Sequence, residues 1–195
     1  GGPSTARHVI RNSAENFAEV SLELGGKSPF IVFDDADIES AVNGSIAGIF
    51  GASGQSCVAG SRLYLHESIG DEFLDKMLNL ASKIKLGDPL QEETQMGPLA
   101  TLGQMNLIEN EISNAKAQGA KILHGGKRPS NANGGWFYEP TIVDCHDQKL
   151  KIVDTELFGP VLSVIRFKSE EEVIKLANDT KYGLAAGVFT KNGAR

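Results

Sequence analysis

Pro29-Phe-Ile-Val-Phe-Asp-Asp-Ala-Asp-Ile-Glu-Ser-Ala-Val42 begins as a wholly apolar run and changes rhythm at Asp34. The first five residues read as a short buried strand. Asp34, Asp35 and Asp37 then crowd a helix start, where the positive end of the helix dipole favours carboxylates. Ile38, Ala41, Val42, Ser45, Ile46, Ile49 and Phe50 recur at helical spacing and define one buried face. Gly51-Ala-Ser-Gly-Gln-Ser-Cys57 breaks the helix, and Arg62-Leu-Tyr-Leu-His66 reads as a second strand. Strand, helix, strand is the unit that builds a parallel sheet.

Downstream the alternation continues. Phe73, Met77, Ala81 and Ile84 mark one face of a helix, and Met105, Ile108, Ile112 and Ala115 mark another that ends near Gly119. Gly87-Asp-Pro-Leu90 and Met96-Gly-Pro-Leu99 are loop signals. Lys121-Ile-Leu123 is a short strand, followed by a polar loop or hairpin over residues 125–135. Phe137–Val143, Val161–Phe167 and Ala185–Thr190 read as strands. Ser169 and Glu172, in capping-box spacing, start a helix between the last two. Upstream, Ser4 can cap a helix to about Phe17, Glu19–Leu24 alternates like a half-buried strand, and Gly25-Gly26-Lys27-Ser28 is a turn. The expected fold is α/β, a mainly parallel sheet flanked by helices.

Composition narrows the function. The chain has 195 residues, 41% hydrophobic and 23% charged, ordinary for a globular domain. Asp and Glu number 25 against 19 Lys and Arg, a net charge of −6, and no basic run offers a nucleic-acid footprint. No stretch approaches the roughly 18 consecutive apolar residues of a membrane span. The two cysteines, Cys57 and Cys145, make no disulfide framework, and the four histidines show no zinc-type spacing. Cys145-His146-Asp147 reads as edge chemistry, with no metal expected. A reducing compartment fits, and cytoplasmic localisation is expected. The opening Gly1-Gly2-Pro3 without a methionine, and the close directly after a strand-like run, read as ends cut from something longer.

Three residues are candidates for chemistry. A lone cysteine is commonly a small buried hydrophobe. Around Cys57, however, Gly54, Ser56, Ala59, Gly60 and Ser61 leave room for a substrate to reach the sulfur and nearby backbone amides together. Such a thiol, a few per cent ionised at neutral pH, needs help from its site. Glu23 ends the alternating segment directly before two glycines, which suits either a functional carboxylate or a solvated one on the outward face. Glu156, in Thr155-Glu-Leu-Phe-Gly-Pro160, is on pattern alone a charged loop residue.

Taken together these stretches resemble a family. Glu23-Leu-Gly-Gly-Lys-Ser-Pro29 is similar to the glutamate signature of aldehyde dehydrogenases. Gly51-Ala-Ser-Gly-Gln-Ser-Cys-Val-Ala-Gly-Ser-Arg62 resembles their cysteine signature, and Glu156-Leu-Phe-Gly-Pro-Val161 their third motif. Asn178-Asp-Thr-Lys-Tyr-Gly-Leu-Ala-Ala186 is similar to a segment late in their catalytic domain. The likeness runs in order along the whole chain.

The resemblance implies oxidation of an aldehyde to a carboxylic acid with NAD or NADP. Cys57 would be the nucleophile, with its own backbone N–H as half of an oxyanion hole, and Glu23 the water-activating base. Glu156 would bind the nicotinamide ribose and Phe158 would pack by the nicotinamide. Gly2, Leu24 and Gly25 would also line the cofactor site, Gly2 near the pyrophosphate. Lys27 would support the Glu23 loop. Residues 1–24 would end a cofactor domain, and 25–195 would form most of a catalytic domain truncated at its C-terminal end. Half a cofactor site would leave the chain inactive alone, and the whole protein would be a dimer or tetramer. A coenzyme A-acylating relative is disfavoured by Glu23, and a non-catalytic protein on the same fold by the presence of both Cys57 and Glu23.

Overall fold

A computed structural model describes residues 1–130 and 134–195. The stretch 131–133, inside the loop expected over residues 125–135, lies outside the described residues. Among the described residues six α-helices and six strands follow in the order α1 (Pro3–Ser13), β1 (Pro29–Val32), α2 (Ile38–Phe50), β2 (Arg62–His66), α3 (Gly70–Ala81), α4 (Leu102–Ala117), β3 (Lys121–His124), β4 (Thr141–Asp144), α5 (Lys151–Asp154), β5 (Val161–Phe167), α6 (Glu170–Asn178) and β6 (Gly187–Phe189). The strands form one sheet in the order β3-β4-β5-β2-β1-β6. β3 runs antiparallel to β4, and every other neighbouring pair is parallel. The mainly parallel α/β sheet expected from the sequence is therefore present.

Alternation along each strand divides the core between two faces. Ile31, Tyr64, Val143 and Ile165 point to the face covered by α4, α5 and α6, beside Ile108, Ile112, Ile152 and Val173. Val32, Leu63, Leu65, Ile142 and Val164 point to the face covered by α2 and α3, beside Val42, Ile49, Phe73 and Met77. Asp37 caps α2, its carboxylate accepting from the Ser40 amide at 2.8 Å, and the Ser169 hydroxyl accepts from the Glu172 amide at 3.2 Å to cap α6.

Several local readings need correction. Glu19–Leu24 forms no strand: Val20 and Leu22 are exposed, and no described strand lies alongside to complete a ladder. α1 is capped by Gly2 with Pro3 in its first turn, not by Ser4, and it stops at Ser13 rather than near Phe17. The strand expected at Phe137 starts only at Thr141, because Pro140 has no N–H to give a ladder. β6 is shorter than Ala185–Thr190, and the one-turn helix α5 had no periodic signal.

Arg62, at the start of β2, is 1% exposed and ties the layers together. Its Nε donates to the Lys27 carbonyl at 2.7 Å, Nη1 to the Tyr64 hydroxyl at 2.9 Å and Nη2 to the Ala177 carbonyl at 2.9 Å. Arg62→Met, which keeps the stem and removes these donors, should lower stability by about 3 kcal/mol in urea unfolding. A loss under about 1 kcal/mol would show that the guanidinium contributes only packing.

The far end of β6 is held by Asp35. Desolvation alone would raise its pKa, but the Thr190 hydroxyl, the Arg195 guanidinium and the Lys191 amide outweigh it, so the carboxyl titrates below its ordinary value. A depressed folded pKa gives stability that is present above about pH 4 and lost as pH falls through the folded value. Asp35→Asn should therefore flatten the acid limb of the stability–pH curve. An unchanged limb would remove Asp35 from the account.

Candidate active site

Parallel neighbours bring their amino ends to the same edge of a sheet. In the order β5-β2-β1, the segments entering those strands are 156–160, 51–61 and 23–28, so the three motifs must lie side by side. One cleft of about 580 Å³ collects them. It is lined by Cys57, Glu23, Glu156 and Phe158, and by Gly2, Leu24 and Gly25. Every residue singled out for catalysis or cofactor contact thus borders this cleft. Gln55 and Gln104 also line it, and sequence reading passed over both.

The glycine pair sets the geometry. A Cβ on Gly25 would sit 1.8 Å from the Glu156 Oε2, and one on Gly26 would sit 2.6 Å from the Cys57 carbonyl oxygen. At Gly26 the close approach is to the backbone of the Cys57 loop, which leaves no room for a side chain, while at Gly25 a Cβ would displace the Glu156 carboxylate, the end of a flexible side chain. The Gly26 amide donates to the Glu156 Oε1 at 3.0 Å, which fixes that carboxylate at the cleft wall.

The loop before Cys57 is conformationally strained. Ala52 (φ 50°) and Ser53 (φ 56°) are both left-handed, as is Gly54 (φ 71°). The Ser53 hydroxyl donates to the Gly97 carbonyl at 2.9 Å, and the Gln55 Oε1 accepts from the Ala100 amide at 2.9 Å. Across the cleft Phe158 (φ 48°) is left-handed too, while Gln104 donates through Nε2 to the neighbouring Leu157 carbonyl. Such φ values cost about 1–3 kcal/mol per residue and hold only where the surroundings impose them.

The two cysteines differ sharply. Cys145 is buried in β-sheet core, and burial pushes its thiol up to about 11, so it stays protonated at neutral pH. Cys57 is half-buried at the cleft. His146 is exposed beside the buried Cys145, and no group of three or more metal-ligating side chains is present among the described residues. Lys27 is 3% exposed, and burial followed by the nearby Arg62 charge lowers its pKa to about 8. Its backbone carbonyl, which takes the Arg62 bond, fits a role in supporting the Glu23 loop.

The whole chain, residues 1–195, matches the aldehyde dehydrogenase family. The chain belongs to that family. It is 55% identical to the (Z)-2-((N-methylformamido)methylene)-5-hydroxybutyrolactone dehydrogenase of Acinetobacter baylyi, over 100% of this chain and 40% of that protein. It is 46% identical to the chloroplastic betaine aldehyde dehydrogenase of Atriplex hortensis, over 98% of this chain and 38% of the relative. Its fold is that of an NAD+ complex of a Bacillus cereus aldehyde dehydrogenase, with TM-score 0.94 at 42% identity, covering 100% of this chain and 39% of the other. The NAD+ complex of the Staphylococcus aureus betaine aldehyde dehydrogenase gives TM-score 0.94 at 45% identity, over 98% and 39%. The chain thus spans about 40% of the length of its relatives. Chloroplastic and peroxisomal proteins are among them, so the compartment varies within the family, and no helix of the described residues is long and apolar enough to cross a membrane.

The Gly25–Glu156 contact can be measured directly. Gly25→Ala should cost about 1–3 kcal/mol through overpacking. Most of that cost should vanish in a Glu156→Ala background, which removes the opposing carboxylate. Additive losses in the double-mutant cycle would mean the two positions do not meet.

Proposed function

We propose that this chain carries the catalytic part of a nicotinamide-dependent aldehyde dehydrogenase of the hydrolytic type. The observation that supports it is the single cleft bordered by Cys57, Glu23, Glu156 and Phe158. Residues 1–24 end the cofactor domain in this reading, and 25–195 belong to the catalytic domain.

The cleft fits a nicotinamide nucleotide. Glu156, held through one oxygen by the Gly26 amide, has acceptor capacity left for ribose hydroxyls. Phe158, 39% exposed, offers an apolar face, and Gly2 caps the amino end of α1, where backbone N–H groups favour phosphate. Pro3 removes one of those donors. When bound, the nicotinamide supplies a hydride acceptor, NAD or NADP.

The Cys57 thiolate attacks the aldehyde carbonyl carbon, forming a C–S bond. The backbone N–H of Cys57 donates to the oxygen as it gains charge. With a nicotinamide bound as acceptor, transfer of hydride from that carbon would leave a thioester on Cys57. Glu23 then takes a proton from water, whose oxygen attacks the thioester, and the C–S bond breaks to release the carboxylic acid and return the Cys57 thiolate, leaving the proton on Glu23 to be passed to solvent.

The test uses the complete polypeptide with a panel of aldehydes and either nucleotide. Cys57→Ala should abolish formation of reduced nicotinamide. Glu23→Gln should retain a burst of one equivalent per site while steady turnover falls about 10²–10⁴-fold. A Glu23→Gln variant without the burst would assign Glu23 to an earlier step. Normal steady turnover, with a product that depends on coenzyme A, would favour the acylating reading.

A further inference from the structure

Helix α4 meets the segment around Glu156 along one face. Gln104, Ile108 and Glu111 follow one another at helical spacing, so they share a side of the helix. Gln104 donates to the Leu157 carbonyl, and a Cβ on Gly159 would sit 2.3 Å from the Ile108 Cδ1. One turn further on, the Glu111 carboxylate pairs with the ammonium of Lys151, the first residue of α5.

The other end of α5 is pinned as well. There the Asp154 Oδ1 accepts from the Thr180 hydroxyl at 2.8 Å. Between the two pins Ile152 and Val153 are buried in the core. Glu156 follows directly after Asp154 and Thr155, so this single turn sets the point from which it enters the cleft.

The Glu111–Lys151 pair is a poor source of stability. Glu111 is 3% exposed, while the Lys151 side chain is 61% exposed and leaves its ammonium within reach of water. The second carboxylate oxygen, Oε2, is buried without a hydrogen-bond partner. Desolvating a carboxylate that has one partner can cost as much as the attraction returns, and an apolar residue of similar volume commonly fills such a place as well. What the pair adds is direction, since a charged hydrogen bond fixes one atom against another and an apolar contact does not.

We propose that Glu111 is a positioning residue for the nicotinamide nucleotide, acting through Lys151 and α5 on Glu156. The inference rests on the proposed role of Glu156 in binding the ribose hydroxyls. Held by Glu111 at its start and by Thr180 at its end, α5 places Glu156 where one oxygen meets the Gly26 amide at 3.0 Å and the carboxylate borders the cleft.

The test is a set of variants of the complete polypeptide, read by calorimetric titration with NAD and NADP, by melting temperature and by alkylation of Cys57 with iodoacetamide. Glu111→Leu should weaken the nucleotide that binds the parent about three- to tenfold. Its melting temperature should stay level or rise, because Lys151 can turn to water and no unpaired buried charge remains. Alkylation without nucleotide should keep its rate, since the Cys57 loop is anchored at Gly97 and Ala100 instead. Glu111→Gln, which keeps an acceptor for Lys151, should recover most of the affinity. Glu156→Ala alone should weaken the nucleotide, and in that background Glu111→Leu should have no further effect. Unchanged affinity in Glu111→Leu beside a weakened Glu156→Ala overturns this inference alone. An unweakened Glu156→Ala removes the ribose role and this inference with it. A loss that adds to that of Glu156→Ala, or one accompanied by a lower melting temperature or altered alkylation, marks general loosening and also overturns it. Should Glu111→Leu not fold, Lys151→Ala cuts the same tie from its exposed side, and its additivity with Glu156→Ala decides.

Discussion

Two missing side chains hold the site together. Gly25 and Gly26 lie between the Glu156 carboxylate and the Cys57 carbonyl, with no room for a Cβ on either. A side chain at Gly26 would push away the backbone of the Cys57 loop, and one at Gly25 would displace the Glu156 carboxylate. The Gly26 amide also bonds Glu156, so one dipeptide sets the spacing between two motifs 130 residues apart in sequence. That contact turns three separate loop motifs into one cleft.

The sheet makes the contact possible. In open α/β sheets, ligands usually bind beyond the carboxyl ends of the strands. Here the motif residues gather at the amino ends of β1, β2 and β5. The reason is local: each motif is the segment that enters a strand, and the three strands are parallel neighbours. Arg62 stiffens this edge because it starts β2 and bonds backbone on both sides, at Lys27 and Ala177.

Much of this was legible in the residues. Runs such as Pro29–Val32 and Arg62–His66 are buried or half-buried in the sheet, so their apolar pattern reports the fold directly. Glu19–Leu24 misled because alternation shows what a strand could bury, while a strand also needs a neighbour to pair with. Cys57 and Glu23 stood out through their flanking glycines and small residues together with the resemblance of the motifs, whereas Glu156, a charged loop residue on pattern alone, stood out only through the resemblance. Gln104 could not stand out: it is a polar residue in the first turn of α4, unremarked until that helix end meets the Leu157 carbonyl. Lys27 read as a turn lysine, and its burial comes only from the packing of three separate segments around it.

The strain around the cleft follows from the same geometry. Ala52 and Ser53 in left-handed backbone each cost about 1–2 kcal/mol relative to the ordinary helical region, with no glycine to relieve them. α2 already ends at Gly51 (φ −54°, ψ 140°), and the left-handed residues 52–54 then turn the chain on towards Cys57 and β2. The bonds from Ser53 to Gly97 and from Ala100 to Gln55 offset the strain by anchoring the turn to the loop that leads into α4. That same helix holds Leu157, next to the strained Phe158, through Gln104. The wall carrying Ser53 and Gln55 is thus anchored by the loop before α4, and the Phe158 wall by α4 itself through Gln104, which also lines the cleft. In the proposed reaction such rigid support outside the reacting groups matters, because a thiol displaced by an ångström would lose much of its proximity to the carbonyl.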